Sequence, residues 1–294
     1  IYTLKTPGEV VELDSQGNTV GTTLIGGNRG MSLRVARLAG NDVAFLTFGF
    51  PGENAVRAFQ ADGTELWSFA EADAVNDVCA ADLNGDGLDE IAISYNASTG
   101  IRVLNHSGEL SWKDTRFGNV WHLTAGVFEK DGQRQVATSA NSKIHVYEAD
   151  GKNLQDLSPG FHAHLVRTWR RDGDHPDAVL IAGTDAGRFK LAALTLPGKI
   201  EWSIELPARA QRAAAAGQRP WLAISLGDGS VRVIDLVTTK EIARVGGHGG
   251  NADVAWLEVG DGEPQLFVTD SKSLASYRVT PSPDVAPADA TPDE

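Results

Sequence analysis

The sequence predicts an all-β fold: a β-propeller of four-stranded antiparallel blades, seven in number with six as the alternative. Three observations point there. A hairpin pattern recurs along the chain, a short alternating strand followed by a glycine turn and a second strand. Its turn glycines Gly17, Gly63, Gly108, Gly151 and Gly198 are spaced by 46, 45, 43 and 47 residues, a repeat length expected of propeller blades. Two further strand-like runs lie between successive hairpins, and no unit contains a convincing long helix.

The hairpins read EVVELDSQGNTV from Glu9, AVRAFQADGTELW from Ala55, IRVLNHSGELSW from Ile101 and KIHVYEADGKNL from Lys143. The pattern returns as FKLAALTLPGKIEW from Phe189 and VRVIDLVTTKEI from Val231. Alternating apolar residues around a tight glycine turn are the hairpin signal. The intervening runs include VNDVCAAD from Val75 with EIAISY from Glu90, and WHLTAGVF from Trp121 with QVATSA from Gln135. Each unit is therefore four strands, A to D, with A innermost. One small twisted sheet cannot bury both its faces, so the units must pack radially. The six A strands align at Met31, Asn76, His122, His164, Gln211 and Asp253. The run ARAQRAAAAG from Ala208 has helical composition, but its place in the repeat assigns it to a strand. The C-terminal unit, from Asn251 to Thr280, offers A, B and C without D. The segment from Ile1 to Leu24 offers B, C and D without A. Seven B–C pairs predict seven blades, with ring closure shared between the N- and C-terminal segments.

The propeller is expected to span residues 1–280. Residues 281–294, PSPDVAPADATPDE, combine prolines and acids without apolar periodicity, which predicts a disordered tail or linker. The chain begins at Ile1 rather than at a methionine, which reads as the start of a processed or excised product. A net charge of -13 argues against nucleic acid, whose binding depends on neutralising phosphates with Lys and Arg. No run of apolar residues is long enough to span a bilayer, so no membrane insertion is expected. Cys79 is the only cysteine, which excludes a disulfide framework and a cysteine-rich zinc site.

The sharpest chemical motif is DLNGDGLDE, from Asp82 to Glu90. Calcium takes six to eight oxygen ligands, and closely spaced acidic side chains on a turning loop supply them. Asp82, Asn84 and Asp86 occupy the first, third and fifth positions, so their side chains converge on one side. Gly87 allows the sharp turn, Leu88 offers its carbonyl oxygen and Glu90 closes the sphere, while Asp89 points outward. The spacing starts like an EF-hand loop but has no acid at the twelfth position and no flanking helices. It bridges strands A and B instead, and in this it resembles the FG-GAP (VCBS-type) calcium repeats of integrin-like and bacterial extracellular propellers. Loops at the same place in other units, RRDGDHPDA from Arg170 and FEKDGQRQ from Phe128, lack the first ligand, so one Ca2+ site is expected. Its expected role is structural.

The hairpins AVRAFQADGTELW and LAALTLPGKIEW resemble the PQQ-like (quinoprotein-like) repeat, and Trp67, Trp112 and Trp202 match its tryptophan position. The units ending at Leu154 and Ile242 depart from it. The resemblance implies the blade fold and not the cofactor: quinone-dependent members have an eight-bladed ring and an adjacent cysteine pair, so no PQQ is expected here. The tryptophans are expected to fill the wedge between blades.

A strands line the central channel of a propeller, so Asn76, His122, His164, Gln211 and Asp253, with Met31, are expected to ring one channel mouth. Imidazoles, amides and a carboxylate there offer metal, sugar or acid–base chemistry, or a hydrated channel that binds only water. His106 and His175, in turns, and His145, on a C strand, read as plain surface residues. No GxSxG elbow and no phosphate-cradling glycine loop appears. The expected function is a non-catalytic binding or scaffold module for a protein or glycan partner. The alternative is a lyase- or hydrolase-type enzyme working at the histidine-containing mouth. A loop of modest calcium affinity suits calcium-rich surroundings, which predicts an extracytoplasmic location, periplasmic or secreted.

Overall fold

The computed structural model describes residues 1–5, 8–14, 16–25, 32–49, 54–129, 132–171, 175–249, 252–258, 263–270 and 273–280. Met31 and the expected tail at 281–294 lie outside the described residues. Those described form seven antiparallel sheets arranged as successive blades, and none of them is helical. Blade 1 comprises β1 (Tyr2–Lys5), β2 (Glu9–Leu13) and β3 (Thr19–Leu24). Blade 2 comprises β4 (Ser32–Leu38), β5 (Asn41–Phe48), β6 (Ala55–Gln60) and β7 (Glu65–Ala70). Blade 3 runs through β8 (Val75–Ala81), β9 (Glu90–Tyr95), β10 (Ile101–Leu104) and β11 (Leu110–Asp114). Blade 4 follows as β12 (Leu123–Gly126), β13 (Gln135–Ala140), β14 (Lys143–Tyr147) and β15 (Asn153–Leu157). Blade 5 is β16 (His162–Trp169), β17 (Ala178–Asp185), β18 (Arg188–Thr195) and β19 (Lys199–Leu206). Blade 6 is β20 (Ala210–Ala215), β21 (Trp221–Leu226), β22 (Val231–Asp235) and β23 (Glu241–Val245). Blade 7 has three strands, β24 (Asp253–Leu257), β25 (Gln265–Thr269) and β26 (Leu274–Arg278).

Position in the blade explains each strand's composition. β9 and β21, second from the axis, are buried at every residue and are mostly apolar, with Glu90, Ser94 and Ser225 as buried polar exceptions. β7 and β19 form outer edges and alternate exposed with half-buried residues. The first strands of adjacent blades pack against one another around the axis, β4 on β8, β8 on β12, β12 on β16, β16 on β20 and β20 on β24. The alanine-rich β20 is a strand, paired with β21 and packed between β16 and β24 on that inner ring.

Among the described residues the apolar core is not one mass but seven clusters, each drawn from two neighbouring blades. Blades 2 and 3 share Leu46, Val56, Ile91 and Tyr95; blades 5 and 6 share Leu180, Leu191, Leu222 and Ile224. Corresponding clusters join blades 3 with 4, 4 with 5, 6 with 7, and 1 with 2. The seventh joins the two ends of the chain: Val11 and Leu13 of blade 1 meet Phe267 of blade 7. The ring thus closes by side-chain packing between two three-stranded blades. Among the described residues blade 1 shows no inner strand and blade 7 no outer one, the arrangement the sequence pattern predicts.

Tryptophans pin the outer edges. Trp67 Nε1 donates to the His106 carbonyl at 3.3 Å and Trp112 Nε1 to that of Ala149 at 2.9 Å, each in the hairpin turn of the next blade. Their rings lie flat against that turn's glycine: a Cβ on Gly108 or Gly151 would meet the indole at 2.6 or 2.7 Å. Trp202 packs against the cluster shared by blades 5 and 6, but its Nε1 is buried without a partner. The facing hairpin of blade 6 turns through residues 237–240, without a glycine.

Candidate functional site

Two places gather polar chemistry, the axis of the ring and the loop between β8 and β9. On the axis the organising group is Asp77 of β8, whose side chain is almost fully buried. Its Oδ1 accepts from Arg34 of β4 and from the Val78 N–H, both at 3.0 Å. Its Oδ2 lies 3.1 Å from His122 Nδ1 and accepts from Arg167 of β16 at 3.4 Å. Burial works to raise the Asp77 pKa, but the His122 hydrogen bond and the two guanidiniums override it and hold the carboxyl far below the usual range. One carboxylate therefore links blades 2, 3, 4 and 5. Each arginine also caps a carbonyl of the following blade, Arg34 that of Val78 at 3.2 Å and Arg167 that of Ala213 at 2.9 Å.

The aligned residues take unequal places. Asn76 donates to the Val120 carbonyl at 2.9 Å, a tie from blade 3 to blade 4. His122 is turned onto Asp77, and burial lowers its pKa despite that carboxylate. His164 is buried with Nε2 3.2 Å from the Ala210 carbonyl of blade 6. Burial, and next the charge of Arg209, lowers its pKa to about 4. Gln211 is half-buried on β20, and Asp253 is exposed at the start of β24.

A cavity of about 880 Å³ runs along the axis on the side where blade 1 has no inner strand. Arg34, Asp77, Arg167, Asp253 and Asp270 bring charge to its wall, and Tyr2 and Leu4 of β1 face it. Of the five aligned residues Asp253 alone lines it. Cys79 also lines it, and burial pushes the thiol up to about 11, so it stays protonated at neutral pH. Asp77, Arg34 and Arg167 were not singled out in the sequence. The available signal was an arginine three residues beyond the aligned position in both β4 and β16.

The loop from Asp82 to Glu90 is built on its own side chains. Asp82 accepts the Gly85 N–H at 2.7 Å and the Gly87 N–H at 3.0 Å. Asn84 Oδ1 accepts the Asp86 N–H and Asp86 Oδ1 accepts the Leu88 N–H, each at 2.8 Å. Gly85 and Gly87 both have positive φ, 83° and 89°, which a side chain would strain. Glu90 is buried; its Oε2 accepts the Leu83 N–H at 2.9 Å. Burial raises the Glu90 pKa, with smaller contributions in the same direction from Asp86 and Asp82. Asn84 Nδ2 bridges the two carboxylates, 3.1 Å from Asp86 and 2.9 Å from Glu90. Asp89 turns outward and joins blade 2, accepting the Arg37 N–H at 2.7 Å.

The loop also has a neighbour that the sequence left on the surface. His106, in the turn between β10 and β11, is half-buried beside it, and ligand atoms of Asp86, Glu90 and His106 lie within 4.8 Å of one another. His145 is likewise no surface residue: it is buried on β14, 2.7 Å from Asp156 and stacked on Phe117. Residues distant in sequence make both environments, so hairpin position alone did not reveal them.

A family model described as the lambda-carrageenase β-propeller domain matches residues 52–183. Comparison with curated proteins gives no match. Among solved structures, BBS1N in complex with ARL6DN, soaked with lead, is similar with a TM-score of 0.66 at 12% identity. That likeness covers 94% of this chain and 86% of the other. A protein of unknown function from Bacteroides caccae is similar with a TM-score of 0.52 at 18% identity, covering 76% of this chain and 81% of that one. At these identities the solved structures share the fold, and the chain takes its place among β-propellers on that ground.

Proposed function

We propose that the protein is a non-catalytic, calcium-stabilised β-propeller that serves as a binding or scaffold module for a protein or glycan partner. One observation carries this reading. Arg34, Asn76, Asp77, His122, His164 and Arg167 of the inner ring are spent on joining blades, while a cavity of about 880 Å³ stays open along the axis. His122 is held by Asp77 and His164 by a carbonyl, and the one thiol is protonated at neutral pH. Such a ring is rigid and displays its rims and channel, which suits recognition. Binding of protein and polysaccharide panels to the wild type and to Asp253→Ala tests it. Weakened binding in the variant, with no turnover in either, is the expected result.

The loop from Asp82 to Glu90 is of the FG-GAP type in this reading and takes one Ca2+ on Asp82, Asn84, Asp86, the Leu88 carbonyl and Glu90. Its donor chemistry supports that: a buried carboxylate beside a second one, bridged by an amide nitrogen, is a seat already arranged around positive charge. The ion offsets the repulsion between these acids and fixes a loop that is tied to blade 2 through Asp89 and to blade 4 through Arg134. Calcium is expected to raise Tm by several degrees and chelation to reverse it; a Tm indifferent to both refutes the site. Calcium-rich, extracytoplasmic surroundings fit this use.

The match to a carrageenase propeller favours a second reading, in which the protein is an enzyme or a domain of one. Reducing-end release from carrageenans, lost in a His122→Ala, His164→Ala double variant that still folds, would establish it.

A further inference from the structure

We infer that the seat in this loop extends to His106, and that Asp86, Glu90 and His106 together bind a nitrogen-accepting divalent cation of the zinc class. The inference rests on reading the loop as a cation seat and adds a ligand, and a metal class, outside its motif. Two strands separated in sequence bring the three groups together. Asp86 comes from the loop before β9, Glu90 from the first position of β9, and His106 from the turn after β10. That turn is held in place independently of any ion. Asn105 Oδ1 accepts the N–H groups of Ser107 and Glu109, both at 3.0 Å. Trp67 of blade 2 clamps the turn from outside through the His106 carbonyl. The imidazole is thus delivered to the carboxylates by a rigid hairpin.

The second observation is that His106 Nδ1 is buried and has no hydrogen-bond partner. Buried polar atoms are nearly always satisfied, so an orphaned nitrogen on an imidazole that stands beside two carboxylates calls for a partner. Donor atoms within 4.8 Å of one another suit one ion. Calcium prefers oxygen, whereas imidazole suits zinc and its neighbours. Asp82 stands outside this group, its carboxylate engaged by two backbone N–H groups.

The experiment titrates the full chain with Zn2+, Co2+ and Ca2+ separately, reading heat and, for Co2+, the visible spectrum. His106→Ala keeps the carbonyl that Trp67 needs, and His106→Gln serves as a second variant of similar size. Both should weaken Zn2+ by at least about 100-fold, more than an outer-shell change typically costs, and remove the nitrogen-ligated Co2+ bands while leaving Ca2+ unchanged. Asp82→Asn should do the reverse, weakening Ca2+ and sparing Zn2+. Zn2+ bound equally by the wild type and both His106 variants, or not bound at all, overturns the inference. Zn2+ bound through His106 with no Ca2+ bound upholds it and sinks the calcium reading alone.

Discussion

His164 shows what a single residue contributes on the inner ring. It is buried, neutral and bonded to a carbonyl of the next blade, with its pKa lowered to about 4 by burial first and by Arg209 next. An unfolded chain takes up a proton at this side chain near pH 6.5, and the folded one does not until about pH 4. The unfolded state therefore binds more protons between these values, and stability is fully present above pH 6.5 and falls as the pH drops to about 4. The loss expected from this group is about 3 kcal/mol at most, since a tenfold difference in proton affinity corresponds to about 1.4 kcal/mol. Urea unfolding of the wild type and His164→Gln at pH 7 and pH 5 checks it. The variant keeps an N–H donor and should show the smaller fall. Alignment in the sequence located this histidine on an inner strand. That its proton is excluded follows from blade 6 covering it, which no local pattern states.

The blade hairpin is the element on which the repeat rests, and its glycine has two separable duties. Gly187, between β17 and β18, has φ of 80° with nothing within 4 Å of a Cβ position. Gly108 has a similar φ of 82° and in addition the Trp67 ring 2.6 Å from that position. Gly187→Ala should cost about 1 kcal/mol for backbone strain alone. Gly108→Ala should cost about 3 kcal/mol, because it also pushes the indole of the neighbouring blade off its seat. Equal losses by chemical denaturation would remove the second duty. The 43- to 47-residue spacing of Gly108 and its counterparts Gly17, Gly63, Gly151 and Gly198 was plain in the sequence, since a left-handed turn position tolerates few other residues. The indoles lying on the turns of Gly108 and Gly151 were foreseeable only as wedge filling, because their partners sit 41 and 39 residues away in another sheet.

At the scale of the whole molecule the ring is as strong as its closure. Six interfaces are continuous in sequence, whereas the seventh joins the chain's first and last blades through Val11, Leu13 and Phe267. Phe267 is 2% exposed and lies against Gly17 of blade 1. Phe267→Ala should cost about 3–5 kcal/mol, as expected for a buried phenylalanine. It should also release blades 1 and 7 locally before the rest of the ring. Hydrogen exchange followed by mass spectrometry should show faster exchange in β1, β2 and β25, with β9 and β17 unchanged. A uniform acceleration across all blades would mean that the ring opens only as one unit.

Repetition of alternating strands and glycine turns was enough to determine the all-β class, the order of strands in each blade and the three-stranded sheets that the described residues form at both ends. These are local properties: strand period, turn conformation and spacing. The spacing of the polar residues in the loop from Asp82 to Glu90 is local as well, and so is the expectation of a cation seat that it raises. The tertiary structure decided which residues meet across blades. It placed Asp77 between Arg34, His122 and Arg167, put an axial cavity beside β1, and set His106 against Asp86 and Glu90. Such encounters depend on how sheets pack around a closed axis, where partners stand 16 to 90 residues apart. No periodicity within one blade encodes them.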